Sequence, residues 1–280
     1  HAESKHIHQA VKLTEWIQSI RSIEYSYSIH QKHAESMTYD ETGSGEDSID
    51  ITNWRFLSEK VNTTSENVDI YRLRAWDGDL AYIIEAVINH NDYAEPHNAL
   101  IQATRPKVSI KQSISGSGTL WMSMLGAGNS LPHSLVKKHI DDFAIARSNK
   151  QSEFVIATRD GLHVAFDKSK QVPKRIYTLA TLTEGQKITD VEYMLENWMA
   201  VDSIIVPSRV TLKRLKREHK NGYLFIAQPI TYQYVQYRIN SNSVNINTSR
   251  ENDAYSPVIP VGSVVHNQIT GARYTVENEG

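Results

Sequence analysis

The sequence predicts a mainly β protein: one large curved antiparallel sheet with helices over one of its faces. Three observations carry this. Apolar and polar residues alternate with a period of two over long stretches, as in Ile23, Tyr25, Tyr27 and Ile29 against Glu24, Ser26, Ser28 and His30. Asp77-Gly78, Asp160-Gly161 and Asn221-Gly222 sit between such stretches, where hairpin turns are expected. Helical spacing is confined to about 7–21 and about 132–146, and helices do not alternate with strands as a parallel sheet would require.

The first helix rests on Val11, Leu13, Trp16, Ile17 and Ile20. It runs into the first strand with no Gly or Pro between them. Residues 38–48, TYDETGSGEDS, are acidic and Gly/Ser-rich and read as a mobile connection. Residues 48–61 read as extended, and 67–88 as a hairpin turning at Asp77-Gly78. Residues 113–131 hold an apolar island, Trp121, Met122, Met124 and Leu125, between Gly-rich flanks. The second helix, 132–146, has Ser130 as cap and Pro132 near its start. A hairpin at 152–168 turns at Asp160-Gly161, and a strand follows at 173–182. Residues 188–201 alternate Val191, Tyr193 and Leu195 until the register is lost. The longest hairpin, 202–239, turns at Asn221-Gly222 and carries the basic run LKRLKREHK at 212–220. Residues 240–256 are a polar linker, and a last hairpin at 262–276 turns at Thr270-Gly271.

The chain of 280 residues has 40% hydrophobic and 22% charged residues, the balance of a folded domain with a sizeable core. A formal net charge of −2 gives no global attraction for nucleic acid, and the basic run has no interleaved aromatics. That run suits anionic headgroups or an acidic partner, or simply a solvated hairpin guarding its edge. No apolar run approaches the roughly 18 residues of a membrane helix. The absence of cysteine excludes disulfides, thiol catalysis and cysteine metal sites, and it fits an exported bacterial protein. The first residue is His1, so removal of an N-terminal export signal is expected, with a lipid anchor as an open alternative.

Catalytic patterns are weak. His6-x-His8 and His30-x-x-His33 have no carboxylate at a familiar ligand spacing. There is no G-x-S-x-G elbow, and SGSG at 115–118 lacks the Lys-Ser/Thr of a phosphate loop. Asp141-Asp142 and Glu46-Asp47 read as solvated pairs. Neither catalysis, a metal nor a cofactor is expected. What the chain has is aromatic residues in strands. They suit a cavity for a lipid-like ligand, and they equally suit an ordinary β core.

The order of elements resembles that of LolA-like proteins, the periplasmic lipoprotein carriers and outer-membrane lipoprotein-sorting proteins. The resemblance lies in the helix running directly into a Tyr-rich strand at residues 11–33, the meandering strands after it, and VDSIIVPSRVTLKRL before the long hairpin. It implies a half-open β-barrel whose concave face is covered by helices and whose hollow holds acyl chains. On that basis residues 1–240 are expected to form one half-barrel domain. Residues 241–280 would be a linker and hairpin packed on it. The expected function is a non-catalytic periplasmic or envelope carrier or sensor for a lipid, acyl chain or lipoprotein anchor, with transient contact to a membrane surface or lipoprotein. The alternative is an envelope module without a cavity that binds protein or polysaccharide. The candidate lining is Trp16, Ile20, Tyr25, Tyr27, Trp54, Phe56, Trp76, Tyr82, Trp121, Met122, Met124, Leu125, Tyr193 and Tyr232. A lid formed by the 121–125 island is one reading, and a buried loop the other.

Overall fold

The computed structural model describes residues 2–31, 41–53, 55–63, 68–76, 81–89, 98–104, 120–124, 138–146, 153–167, 172–182, 185–217, 224–227, 229–241, 264–267 and 273–275. The chain divides into two compact units, His1–Ile20 with Ser115–Tyr234, and Arg21–Ile114 with Val235–Gly280. Both are built mainly of antiparallel strands, and in neither does the described run of strands close on itself.

The first unit opens with α1 (Ala2–Gln18). Ala10, Leu13 and Ile17 recur at three- and four-residue steps and are buried, so one stripe of the helix faces the core, and Ile20 just past its end is buried too. The helix ends without glycine. Ser19 N–H reaches the Glu15 carbonyl at 2.9 Å and Ile20 N–H the Ile17 carbonyl at 3.2 Å. Ser19 Oγ donates to the Trp16 carbonyl at 2.6 Å. A side-chain hydroxyl thus occupies a last-turn carbonyl that would otherwise lack a partner.

Behind α1 come α2 (Leu120–Met124), β7 (Phe143–Ala146), β8 (Glu153–Thr158), β9 (Leu162–Asp167), β10 (Pro173–Thr181), β11 (Lys187–Val201), β12 (Ile204–Arg217) and β13 (Leu224–Ile226). β14 (Ile230–Ile239) contributes its residues up to Tyr234. The order is β14-β12-β11-β10-β9-β8-β7, with β13 beside β12. Alternation puts Ile156, Val164, Phe166, Ile176, Tyr193, Val210 and Tyr232 on one face, all buried. α1 meets this unit's strands through His6, whose Nε2 donates to the Phe143 carbonyl at 3.0 Å, and through Lys5, 5.4 Å over the Phe154 ring. Fully burying each large side chain contributes roughly 1.5–3 kcal/mol.

Two expectations change here. Of the helix expected at 132–146, the described part is not α-helical: Ile140–Asp142 is one 3-10 turn and Phe143–Ala146 is a strand. Asp142 Oδ2 accepts the His139 N–H at 2.8 Å, which starts the turn. Phe143 then pairs with Thr158 and Ala146 with Val155, so ladder bonds override helical spacing. The 202–239 hairpin also returns in two pieces. Leu215 pairs with Ile226, but Leu212 pairs with Ile230, a slip of one residue across Ala227–Pro229. Pro229 has no amide hydrogen to keep a continuous ladder. The tip at 218–223 lies outside the described residues, as do residues 132–137 and the Asp77-Gly78 and Thr270-Gly271 turns. The Asp160-Gly161 turn is present, with φ of +90° at Gly161.

The second unit holds β1 (Ser22–Gln31), β2 (Glu41–Asp50), β3 (Arg55–Thr63), β4 (Val68–Trp76), β5 (Ala81–Asn89), β6 (Asn98–Thr104), β15 (Val264–Asn267) and β16 (Arg273–Thr275). They run in the order β16-β15-β6-β5-β4-β3-β2-β1, with residues 235–239 of β14 next to β1. The pairings from β1 to β6 and of β15 with β16 are antiparallel, and that of β15 with β6 is parallel. Ile23, Tyr25, Tyr27 and Ile29 are buried, as their alternation predicts.

The acidic, glycine-rich stretch expected as a loop is largely strand β2, held between β1 and β3. Its glycines are steric necessities. Gly45 stands opposite Tyr27, and a Cβ there would lie 2.5 Å from the Tyr27 Cζ and 2.6 Å from the Glu59 carbonyl. At Gly43 a Cβ would lie 2.5 Å from the Val61 carbonyl. Asp47, also in this stretch, is buried and accepts the Tyr25 hydroxyl at 2.5 Å. The extended reading of 48–61 hid a turn at residues 51–53, where Asp50 Oδ1 accepts the Asn53 N–H at 3.0 Å.

Gly45→Val is expected to destabilise the protein by about 1–3 kcal/mol, because backbone on one side and a buried ring on the other cannot yield. An unchanged urea midpoint would contradict the close approach.

Candidate functional site

In the first unit a pocket of about 370 Å³ lies between the second half of α1, the end of β9, the start of β10 and the β11–β12 turn. Leu13, Trp16, Phe166, Pro173, Trp198 and Ile204 give it apolar walls. Lys12, Glu15, Ser19 and Ser203 supply polar groups. This is the composition of a site that takes an apolar body and orients it by a few polar contacts.

Trp16 sets the geometry. Its ring centre is 5.6 Å from that of Trp198, edge-on at 65°, and 5.8 Å from that of Trp121, tilted at 56°. These are favourable separations and inclinations for aromatic pairs. Its Nε1–H donates to the Ile205 carbonyl at 2.7 Å. Trp198 reaches the pocket because β11 changes course beside it: Asn197 has φ of +53°. Asp202, also at φ +53°, then turns the chain so that Val201 pairs with Ile204.

The predicted residues fall as follows. Trp16 lines the pocket. Ile20, Tyr193 and Tyr232 are core residues of the first unit. Trp121 and Met124 are buried in α2, whose Leu120 N–H is bonded to the Tyr234 hydroxyl at 3.1 Å. Met122 belongs to α2, but its side chain lies outside the described residues, as does all of Leu125. Tyr25, Tyr27 and Phe56 are buried in the second unit. Trp76 lies in β4 and Tyr82 in β5, with side chains outside the described residues, and Trp54 lies outside altogether. Phe166, Pro173, Trp198, Ile204 and Ile205 were missed. Only Trp198 had a signal, as an aromatic where the strand register breaks.

A second pocket, of about 600 Å³, belongs to the second unit. Tyr27 contributes to it, but so do Ser26, Ser28, Ser44, Glu46 and Glu59. Glu46 and Glu59 stand directly opposite each other. Placing an acyl chain there would strip water from two carboxylates, a penalty that apolar contact does not offset. No group of three or more His, Cys, Asp or Glu suited to a metal occurs among the described residues.

The strongest charged cluster is on the opposite face of the first unit's strands. Arg175 donates to Glu153 at 2.6 Å and to Glu192 at 2.8 Å, and lies 4.5 Å over the Tyr177 ring. Burial opposes the guanidinium charge, but the bonds and charges of Glu192 and Glu153 outweigh it and hold its pKa above the ordinary value. The Glu153 side chain is fully buried. Arg175→Met is therefore expected to cost about 3 kcal/mol in thermal or urea unfolding, because it leaves the buried Glu153 with Lys174 at 3.9 Å in place of a hydrogen-bonded guanidinium. A loss below about 1 kcal/mol would show that water reaches Glu153.

His163 stacks on Tyr177, with ring centres 5.0 Å apart. Its Nδ1 is 3.0 Å from the Gly161 carbonyl; a carbonyl only accepts, so Nδ1 carries the hydrogen. Burial lowers its pKa below 6.5; the Gly161 bond opposes this, while Lys187 and Arg175 push it further down. The folded state therefore binds this proton less readily than the unfolded chain. The stability contribution is whole above pH 6.5 and is lost as pH falls through the folded-state pKa. Unfolding should become easier on acidification below pH 6.5, and less steeply so in His163→Gln. Equal acid sensitivity of the two proteins would contradict this.

No protein-family model and no curated protein matches the chain. Among solved structures it is similar to a LolA superfamily protein from Nitrosomonas europaea, at 12% identity and a TM-score of 0.43, over 83% of this chain and 94% of that one. It is also similar to a DUF1329 family protein from Desulfovibrio piger, at 8% identity and a TM-score of 0.39, over 85% and 93%. A third is a β-barrel-like DUF1849 protein from Brucella abortus, at 9% identity and a TM-score of 0.28, over 79% and 99%.

Proposed function

We propose that the protein is a non-catalytic carrier or sensor that binds an acyl chain in the pocket beside Trp16. The observation that carries this is the pocket itself, apolar on Leu13, Phe166, Trp198 and Ile204, polar at Lys12, Glu15, Ser19 and Ser203. The walls supply transfer free energy of roughly 25 cal/mol per Å² of apolar ligand surface, and the polar groups set orientation. At about 370 Å³ the site is near the lower end of the roughly 300–1,000 Å³ range of small-ligand pockets. One chain suits it better than several, so a single fatty acyl group or one chain of a lipoprotein anchor is the preferred ligand. The lining has no histidine that would serve a serine as base. A place in a bacterial envelope, with transient contact to a membrane or lipoprotein, fits such cargo and a chain that contains no cysteine.

The test is uptake of a fluorescent fatty acid. Wild type should bind it saturably, and Trp198→Asp should weaken binding at least about tenfold, or 1.4 kcal/mol. Glu59→Gln, in the other unit, should leave binding unchanged. Absence of uptake by wild type, or uptake indifferent to Trp198→Asp, would overturn the assignment.

A further inference from the structure

The end of the β11–β12 hairpin supplies Trp198, Ser203, Ile204 and Ile205 to the pocket. Its attachment to the rest of the ladder is interrupted on both strands, at neighbouring rungs. On β11, Asn197 is in the left-handed region at φ +53°, which residues other than glycine seldom enter. Its carbonyl accepts from Ser208 Oγ at 2.8 Å, and the strand pairing passes from Glu196↔Arg209 to Trp198↔Pro207 across it. On β12, Pro207 has no amide hydrogen to offer the ladder. A ladder weakened at two neighbouring rungs, Asn197 opposite Ser208 and Trp198 opposite Pro207, is where a β ribbon bends. Beyond that level Met199 is 40% and Ile205 46% exposed. Trp16 fastens this end to α1, by its Nε1–H bond to the Ile205 carbonyl and its edge contact with Trp198.

We propose that residues 198–207 form a flap over the pocket, hinged at Asn197 and Ser208 and latched by Trp16. Ligand enters and leaves when the latch opens; this second clause rests on the acyl-binding reading, and the flap itself does not. Opening withdraws Val206, which is buried, together with the Trp16–Trp198 contact and leaves the rest of the core in place, so it belongs to the local openings that precede global unfolding. A weaker latch raises the open population and speeds both entry and exit. A residue that merely touches ligand changes exit alone.

Two measurements on the full chain test this. The first is amide hydrogen exchange without ligand. The amides of residues 198–206 should exchange faster than those of 191–195 of the same strand pair. Trp16→Phe, which keeps a ring but removes the N–H donor, should speed them a further three- to tenfold or so, the scale of one lost hydrogen bond. Ser208→Ala should act in the same direction, while β9 stays protected and shows that both variants are folded. The second is stopped-flow binding of a fluorescent fatty acid, in which Trp16→Phe should raise both association and dissociation rates. Uniform exchange along β11–β12, or exchange indifferent to both variants, overturns the flap. A Trp16→Phe effect on dissociation alone overturns the latch as a gate. If wild type takes up no fatty acid while 198–206 still exchange fast and respond to Trp16→Phe, the acyl reading fails and the flap stands.

Discussion

Trp16 is the residue on which the first unit's site depends. A single indole meets Trp121 on α2 and Trp198 on β11, and donates to the Ile205 carbonyl on β12. Three elements distant in sequence are therefore referred to one turn of α1. Its amphipathic form allows this: one end is apolar enough to sit among aromatics, and the N–H still finds an acceptor. The opposite end of α1 is held by different chemistry, His6 on a carbonyl and Lys5 over a ring. The pocket lies at the tryptophan end.

The second unit is organised by space, not by an aromatic pivot. Tyr27 is buried because Gly45 opposite it has no side chain. Few residues of β2 favour a strand, yet the strand forms because β1 and β3 offer ladders on both sides. Such a strand has weak local preference and strong tertiary instruction. That explains why it reads as a loop when taken alone.

The sequence was most legible where local and tertiary preferences agree. The alternation in β1, the Asp160-Gly161 turn and the stripe of α1 all carry their own signal, so their placement needed no knowledge of the fold. It was least legible where a partner strand decides, as at Phe143–Ala146 and in β2. The site shows the same division. Trp16 stood out as an aromatic on an amphipathic helix, but the other walls come from Phe166, Pro173 and the β11–β12 turn, residues far apart in the chain. Choosing strand aromatics as a group favoured core residues, because aromatics fill any sheet core. Tyr193 and Tyr232, with 0% and 2% exposure, are examples. The break at Asn197 is what turns Trp198 into a pocket wall, and in the sequence it shows only as the loss of alternation after Leu195.

Photolabelling locates the acyl chain on the protein. A fatty acid carrying a diazirine on its chain, bound and irradiated, should attach to peptides containing residues 12–19 and 198–205. Label concentrated on strands of the second unit, or spread evenly over the surface, would mean that the pocket beside Trp16 is not the acyl site.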